Sequence, residues 1–322
     1  MALADLIGIL FGPRIKLPRD LVTRPSRRAN KAAKASIDAM QAALDKISAL
    51  PGIADVKQTK RLPRGFSEAM QELRRAYDQY FDTVRGFLPG GLEAKRPGEP
   101  GGCGACYEPV MPVMAVEAID LYRELRPWRD FQSVAQRFAE QADQQIKEIQ
   151  SRHTGKDPDK MSMTSKAVQE GRVAQAKRKQ PCPLLDEGKQ RCRAWERRPV
   201  ACRMHLPLVD DAQRRPDAEG WPKSARAHNV RLPVRQQVAV RQLEKRLGLE
   251  LNPFLSASVL QLAQLVEGQV LPESGEAPQR MQQDGQVAQR ANRNVKHAKK
   301  FQKDKGRGGG GGQGKGKKGR KK

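Results

Sequence analysis

The chain has 322 residues, with 61 Lys and Arg against 36 Asp and Glu, a net charge of +25 and a pI near 10.2. Hydrophobic residues are 38% and aromatic residues only 5%, which allows a modest core and a large polar remainder, while the charge draws the chain to polyanions. No run approaches the ~18 apolar residues that span a bilayer, and the apolar stretch ALADLIGILFG at 2–12 lacks a basic n-region, so the sequence reads as cytoplasmic, with its cysteines reduced.

In chain order, Ile37, Met40, Leu44, Ile47 and Leu50 fall at helical spacing within 27–49, and Pro51-Gly52 ends that helix. Phe66, Met70, Leu73, Tyr77, Tyr80, Phe81, Val84 and Phe87 make one apolar face over about six turns. Residues 89–102 are loop by composition. Cys103 and Cys106 follow on a glycine-rich turn, and PVMPVMAV at 109–116 reads as a short extended piece. Helices are expected over 117–126 and 129–151, the second with a stripe of Phe131, Val134, Phe138, Ala142, Ile146 and Ile149. Residues 152–164 read as loop, and a basic, helix-prone segment at 166–179 leads to a second cysteine-bearing stretch.

Beyond it, residues 206–233 carry four prolines and little periodicity. A helix is expected over 234–247, and Asn252-Pro253 opens another that Gly268 closes. After about residue 270 the apolar content collapses. Residues 280–322 hold 15 Lys and Arg against 2 Asp and Glu, a net +13 over 43 residues. A Lys- and Gly-rich tail of this kind cannot bury a core and is expected to be disordered, with RNA or DNA as its polyanionic partner.

The chemistry concentrates in the five cysteines. Cys103 and Cys106 form a C-x-x-C turn, a spacing that lets two sulfurs share one ion. Cys182, Cys192 and Cys202 sit in CPLLDEGKQRCRAWERRPVACRMH, with nine residues between each pair. Asp186-Glu187-Gly188 is a turn signal that returns Cys192 towards Cys182, and Arg198-Pro199 is another before Cys202. The equal gaps are loop lengths and not a repeat, since the intervening residues do not match. His205 forms C-x-x-H with Cys202, giving six candidate ligands for a site that takes four. The plain alternative is five buried thiols. Arg191, Arg193, Arg197, Arg198 and Arg203 are expected to favour thiolates. No Walker A, G-x-G-x-x-G, G-x-S-x-G or H-E-x-x-H sequence is present.

Residues 182–203 resemble the signature of the YkgJ-type cysteine-cluster (CxxCxxCC) family: Cys-Pro-aliphatic-Leu, a turn, Cys, an aromatic, Glu, Arg-Pro, then Cys-Arg. The matches are Cys182, Pro183, Leu184, Leu185, Cys192, Trp195, Glu196, Arg198, Pro199, Cys202 and Arg203. CGACYEPVMPVMAVEAIDLYREL resembles the family's N-terminal half. Where the family box has cysteines at the positions of 100 and 107, this chain has Pro100 and Tyr107, so its cysteine set is reduced. The resemblance implies zinc or an iron–sulfur cluster, with Cys103, Cys106, Cys182, Cys192 and Cys202 as the metal residues. One branch of the family resembles flagellin lysine N-methylases, which implies a metal-dependent protein-modifying enzyme as an alternative. A nucleic-acid-binding protein with a structural metal is another.

The expected fold is mainly α: a helical domain with an irregular cysteine-lined metal-binding centre and a disordered basic C-terminal tail. The expected divisions are an N-terminal helical region at 1–99, a cysteine-cluster domain at 100–210, a helical region at 211–270 packing on it, and the tail at 271–322.

Overall fold

The helical periodicities become helices in the computed structural model, which describes residues 20–91, 106, 112–152, 167, 170, 174, 177, 178, 180–207 and 227–275. All of these fall in one unit, Met1–Glu276. The second unit, Ala277–Lys322, lies outside the described residues with the expected basic tail, as do the N-terminal apolar stretch, Cys103 and most of 153–179.

Strand β1 (Asp20–Thr23) leads into α1 (Arg27–Ala32), whose N-cap Ser26 accepts the Ala29 amide at 3.1 Å. Ala33 breaks the helical path, and α2 (Lys34–Ala49) resumes it, so one expected helix is two. The buried stripe of α2 is Met40, Ala43, Leu44 and Ile47. It packs on α3 (Phe66–Arg85), where Phe66, Met70, Leu73, Tyr77, Tyr80, Phe81 and Val84 are buried. Phe87 lies past the helix end and is exposed, because the stripe stops where the helix does.

Helix α4 (Ala115–Leu125) is buried continuously from Ala115 to Tyr122, the mark of a central helix rather than an amphipathic one. In α5 (Phe131–Gln150) the inner face carries Phe131, Val134, Phe138, Ala142 and Ile149, while Ile146 turns outward. The two-residue strands β2 (Leu185–Asp186) and β3 (Arg191–Cys192) form a hairpin, and α6 (Val200–Arg203) follows as a single turn.

Strands β4 (His205–Pro207) and β5 (Ala227–Val230) occupy the proline-bearing stretch that showed no periodicity. Strand β5 pairs parallel with β1 and antiparallel with β4, so the chain's early part and its 227–230 segment share one small sheet. Helix α7 (Val234–Leu247) packs on α2, and α8 (Leu255–Leu265) on α4 and α5.

Helix α8 starts two residues later than expected, because the Asn252 side chain accepts the Phe254 amide at 3.0 Å and delays helical entry. Gly268 closes it in a left-handed conformation, its amide reaching Ala263 at 2.8 Å. Leu271 and Glu273, placed in the tail by sequence, pack into the body: Leu271 is buried, and Glu273 accepts the amides of Gly65 and Ser67 at 3.0 and 2.7 Å. Among the described residues no helix is long and apolar enough to cross a membrane.

Candidate metal centre

Two cysteine-bearing stretches meet at the backbone. The Cys182 amide donates to the Cys106 carbonyl at 2.6 Å, which joins Cys106 to the second stretch. Flanking prolines at 181 and 183 hold Cys182 in a stiff entry, and the Leu185 amide returns to the Cys182 carbonyl at 2.9 Å.

The expected DEG turn is the loop of the β2–β3 hairpin. Leu185 faces Cys192 in register, Asp186 accepts the Lys189 amide at 3.1 Å, and Gln190 takes a left-handed conformation at the turn. Arg198-Pro199, expected as a turn, is extended instead; the chain turns just before it, in a 3-10 segment at Trp195–Arg197, and Pro199 caps α6, which carries Cys202. Cys106, Cys182 and Cys202 are half-buried, and Cys192 is buried.

Cys182 and Cys202 both feel the neighbouring thiols of the second stretch. Burial first, and then the neighbouring Cys192, push Cys182 up to about 12. Cys202 is pushed up by burial and then by Cys182 and Cys192. Such coupling needs sulfurs that are electrostatic neighbours.

Two backbone amides oppose the rise: Leu184 hydrogen-bonds Cys182, and Ala194 hydrogen-bonds Cys192. In each case the donor lies two residues past the sulfur. The donated hydrogen bonds favour the thiolate, the form that binds metal.

The arginines do less than their number implies. Arg193 is held by Asp130 at 2.6 and 2.8 Å, and Arg197 by Asp120 at 2.8 Å. Arg198 stacks over Trp195 at 3.2 Å, and burial brings it down to about 10. Arg203 is ion-paired with Asp78 and donates to the Glu196 carbonyl at 2.5 Å and the Arg198 carbonyl at 2.8 Å. Burial therefore outweighs the basic neighbours at Cys192 and Cys202.

Buried carboxylates on α4 attach this loop to the helical body. Asp120 is ion-paired with Arg74 of α3 and accepts from Arg197 at 2.8 Å. Burial raises Asp120 and lowers Arg74, partly offset by their mutual attraction. One turn earlier, Glu117 accepts the Val200 amide at 2.6 Å, at the start of the turn that carries Cys202, and the Met114 amide at 3.2 Å. Sequence reading identified the helix and overlooked both acids. The available signal was a Glu and an Asp three residues apart within an otherwise apolar run, VEAIDL.

His205 is buried on β4, its Nδ1 paired with Asn229 at 2.7 Å across the sheet. Among the described residues no three His, Cys, Asp or Glu side chains already form a metal-holding group, and Cys103, which would join Cys106, lies outside them. The donor chemistry nevertheless fits a soft metal: one buried and three half-buried thiols, two of them receiving amide hydrogen bonds.

The CxxCxxCC family model, described as "Putative zinc- or iron-chelating domain", matches residues 101–220. No curated protein and no solved structure matches the chain.

Two predictions follow from the carboxylates. Asp120→Ala strands Arg74 without its partner and should lower unfolding free energy by about 3–5 kcal/mol, read by denaturant titration; a loss under about 1 kcal/mol would remove Asp120 as an anchor. Glu117 is raised by burial to about 7 from an ordinary 4.5. Its folded form holds a proton that its unfolded form releases, so the stability it contributes is full below pH 4.5 and is lost as pH rises through about 7. Wild-type stability should therefore fall more steeply over that interval than that of Glu117→Gln; parallel profiles would contradict it.

Proposed function

We propose that this protein binds one zinc ion or one iron–sulfur cluster through Cys103, Cys106, Cys182, Cys192 and Cys202, a reading supported by the match of residues 101–220 to the CxxCxxCC family model. The observation that carries the reading is the electrostatic coupling of Cys182, Cys192 and Cys202, with amides donated to the first two. The backbone bond from Cys182 to Cys106 supports adding Cys106 to the same set.

Tetrahedral zinc takes four ligands, and a four-iron cluster takes four cysteines. Five thiols supply either with one to spare. When bound, the metal supplies a cross-link between three turns that are otherwise held by short hydrogen bonds and ion pairs. A reducing, cytoplasmic setting suits thiols kept for metal.

Anaerobic purification with metal and acid-labile sulfide analysis tests this. One zinc per chain, or iron with matching sulfide, is expected, falling at least about tenfold in the Cys182→Ser/Cys202→Ser variant. Folded wild-type protein with neither metal would overturn the proposal.

A second reading, binding of RNA or DNA through residues 280–322, is supported by their net +13. Deleting them should weaken binding at low salt; unchanged affinity would remove the tail from the account.

A further inference from the structure

A cleft of about 970 Å³ opens beside the cysteine loop, between α3, the turn after α4 and the β2–β3 hairpin. It reaches Cys192 at one wall and is otherwise built from charge and indole rings. Its carboxylates are largely engaged within the fold: Asp130 by Arg193, Asp78 by Arg203 and Glu124 by Arg197. Asp186 is occupied by the Lys189 amide. Four cations are different. Arg75, Arg129, Lys189 and Arg191 line the same cleft, are exposed, and have no carboxylate partner among the described residues. They come from three separate segments of the chain.

Trp128 and Trp195 also line it and are half-buried, so each ring is fixed against the body. Arg193 lies over Trp128 at 4.2 Å, and Arg198 over Trp195 at 3.2 Å, which locks the indoles in place.

We infer that this cleft binds a segment of single-stranded nucleic acid, with Arg75, Arg129, Lys189 and Arg191 on the phosphates and Trp128 and Trp195 beside the bases. Phosphates need mobile, unpaired cations, and the four supply them. Fixed indoles next to cations are the pairing that holds unpaired bases. An acidic peptide would use the cations and leave the rings idle. A single nucleotide carries its phosphate charge at one point, whereas these cations arise on three segments around the cleft. None of the residues named for the cleft belongs to 280–322, and none of the four cations or two tryptophans is a proposed metal ligand.

The test uses the full chain, as purified, in a Trp221→Phe background, so that the remaining indoles are Trp128 and Trp195. Fluorescence is titrated with an oligouridylate and an oligothymidylate of about 12 nucleotides. Quenching is expected with either. In the Arg75→Ala/Arg129→Ala/Lys189→Ala/Arg191→Ala variant, affinity should fall more than about tenfold and the salt slope by about 0.7 per cation removed. The basic tail is common to both proteins and cancels. The Lys189→Ala/Arg191→Ala variant, altered at two exposed hairpin positions, should lose about half that slope. Unchanged quenching and slope in both variants would overturn the inference. Equal competition by polyglutamate, or by uridine monophosphate at the same phosphate concentration, would do so too.

Discussion

Asp120 is a single carboxylate, buried on a central helix, facing two guanidinium groups that belong to different parts of the chain. A buried charge must be paired, and losing its partner costs more than the pair itself contributes. That constraint fixes α3, α4 and the loop at 195–197 relative to one another. Glu117, one turn away, takes the amide that begins the Cys202 turn. Arg203, the residue after Cys202, reaches back to Asp78 on α3. The cysteine loop has little regular structure of its own: a two-residue hairpin, a 3-10 turn and one turn of helix. Its position is set by this ionic attachment to a helical body that is well packed.

The same burial shapes the thiols. Away from water a thiolate is expensive, and the nearby arginines are mostly committed elsewhere, so the sulfurs are held towards their protonated form. A divalent or cluster metal bound there would supply the missing positive charge and release those protons. The two amides aimed at Cys182 and Cys192 are fixed by the backbone and need no rearrangement to support thiolates. In this reading the helical body positions the turns, and the metal closes them.

Much of the helical body was legible from periodicity alone. The stripes of α2, α3 and α5 are the buried faces, and errors sit at helix ends and margins, where Phe87 and Ile146 point outward. The cysteine loop was legible in part: the DEG turn forms, whereas Arg198-Pro199 is extended between a 3-10 segment and a single helical turn. The three-stranded sheet was not: β1 and β5 are four residues each, pair in parallel across more than 200 residues of chain, and carry no alternation to betray them. Nor were Glu117, Asp120 and the cationic cleft. A helix buried on every side shows no polar face, so its acids read as ordinary surface charge. The cleft exists only where Arg75, Arg129 and the hairpin meet in space.

The central claim is that sulfur from this loop holds the metal. X-ray absorption at the metal edge of the full chain tests it most directly. The account predicts a first shell dominated by sulfur, at about 2.3 Å for zinc. A first shell made only of nitrogen and oxygen would contradict it.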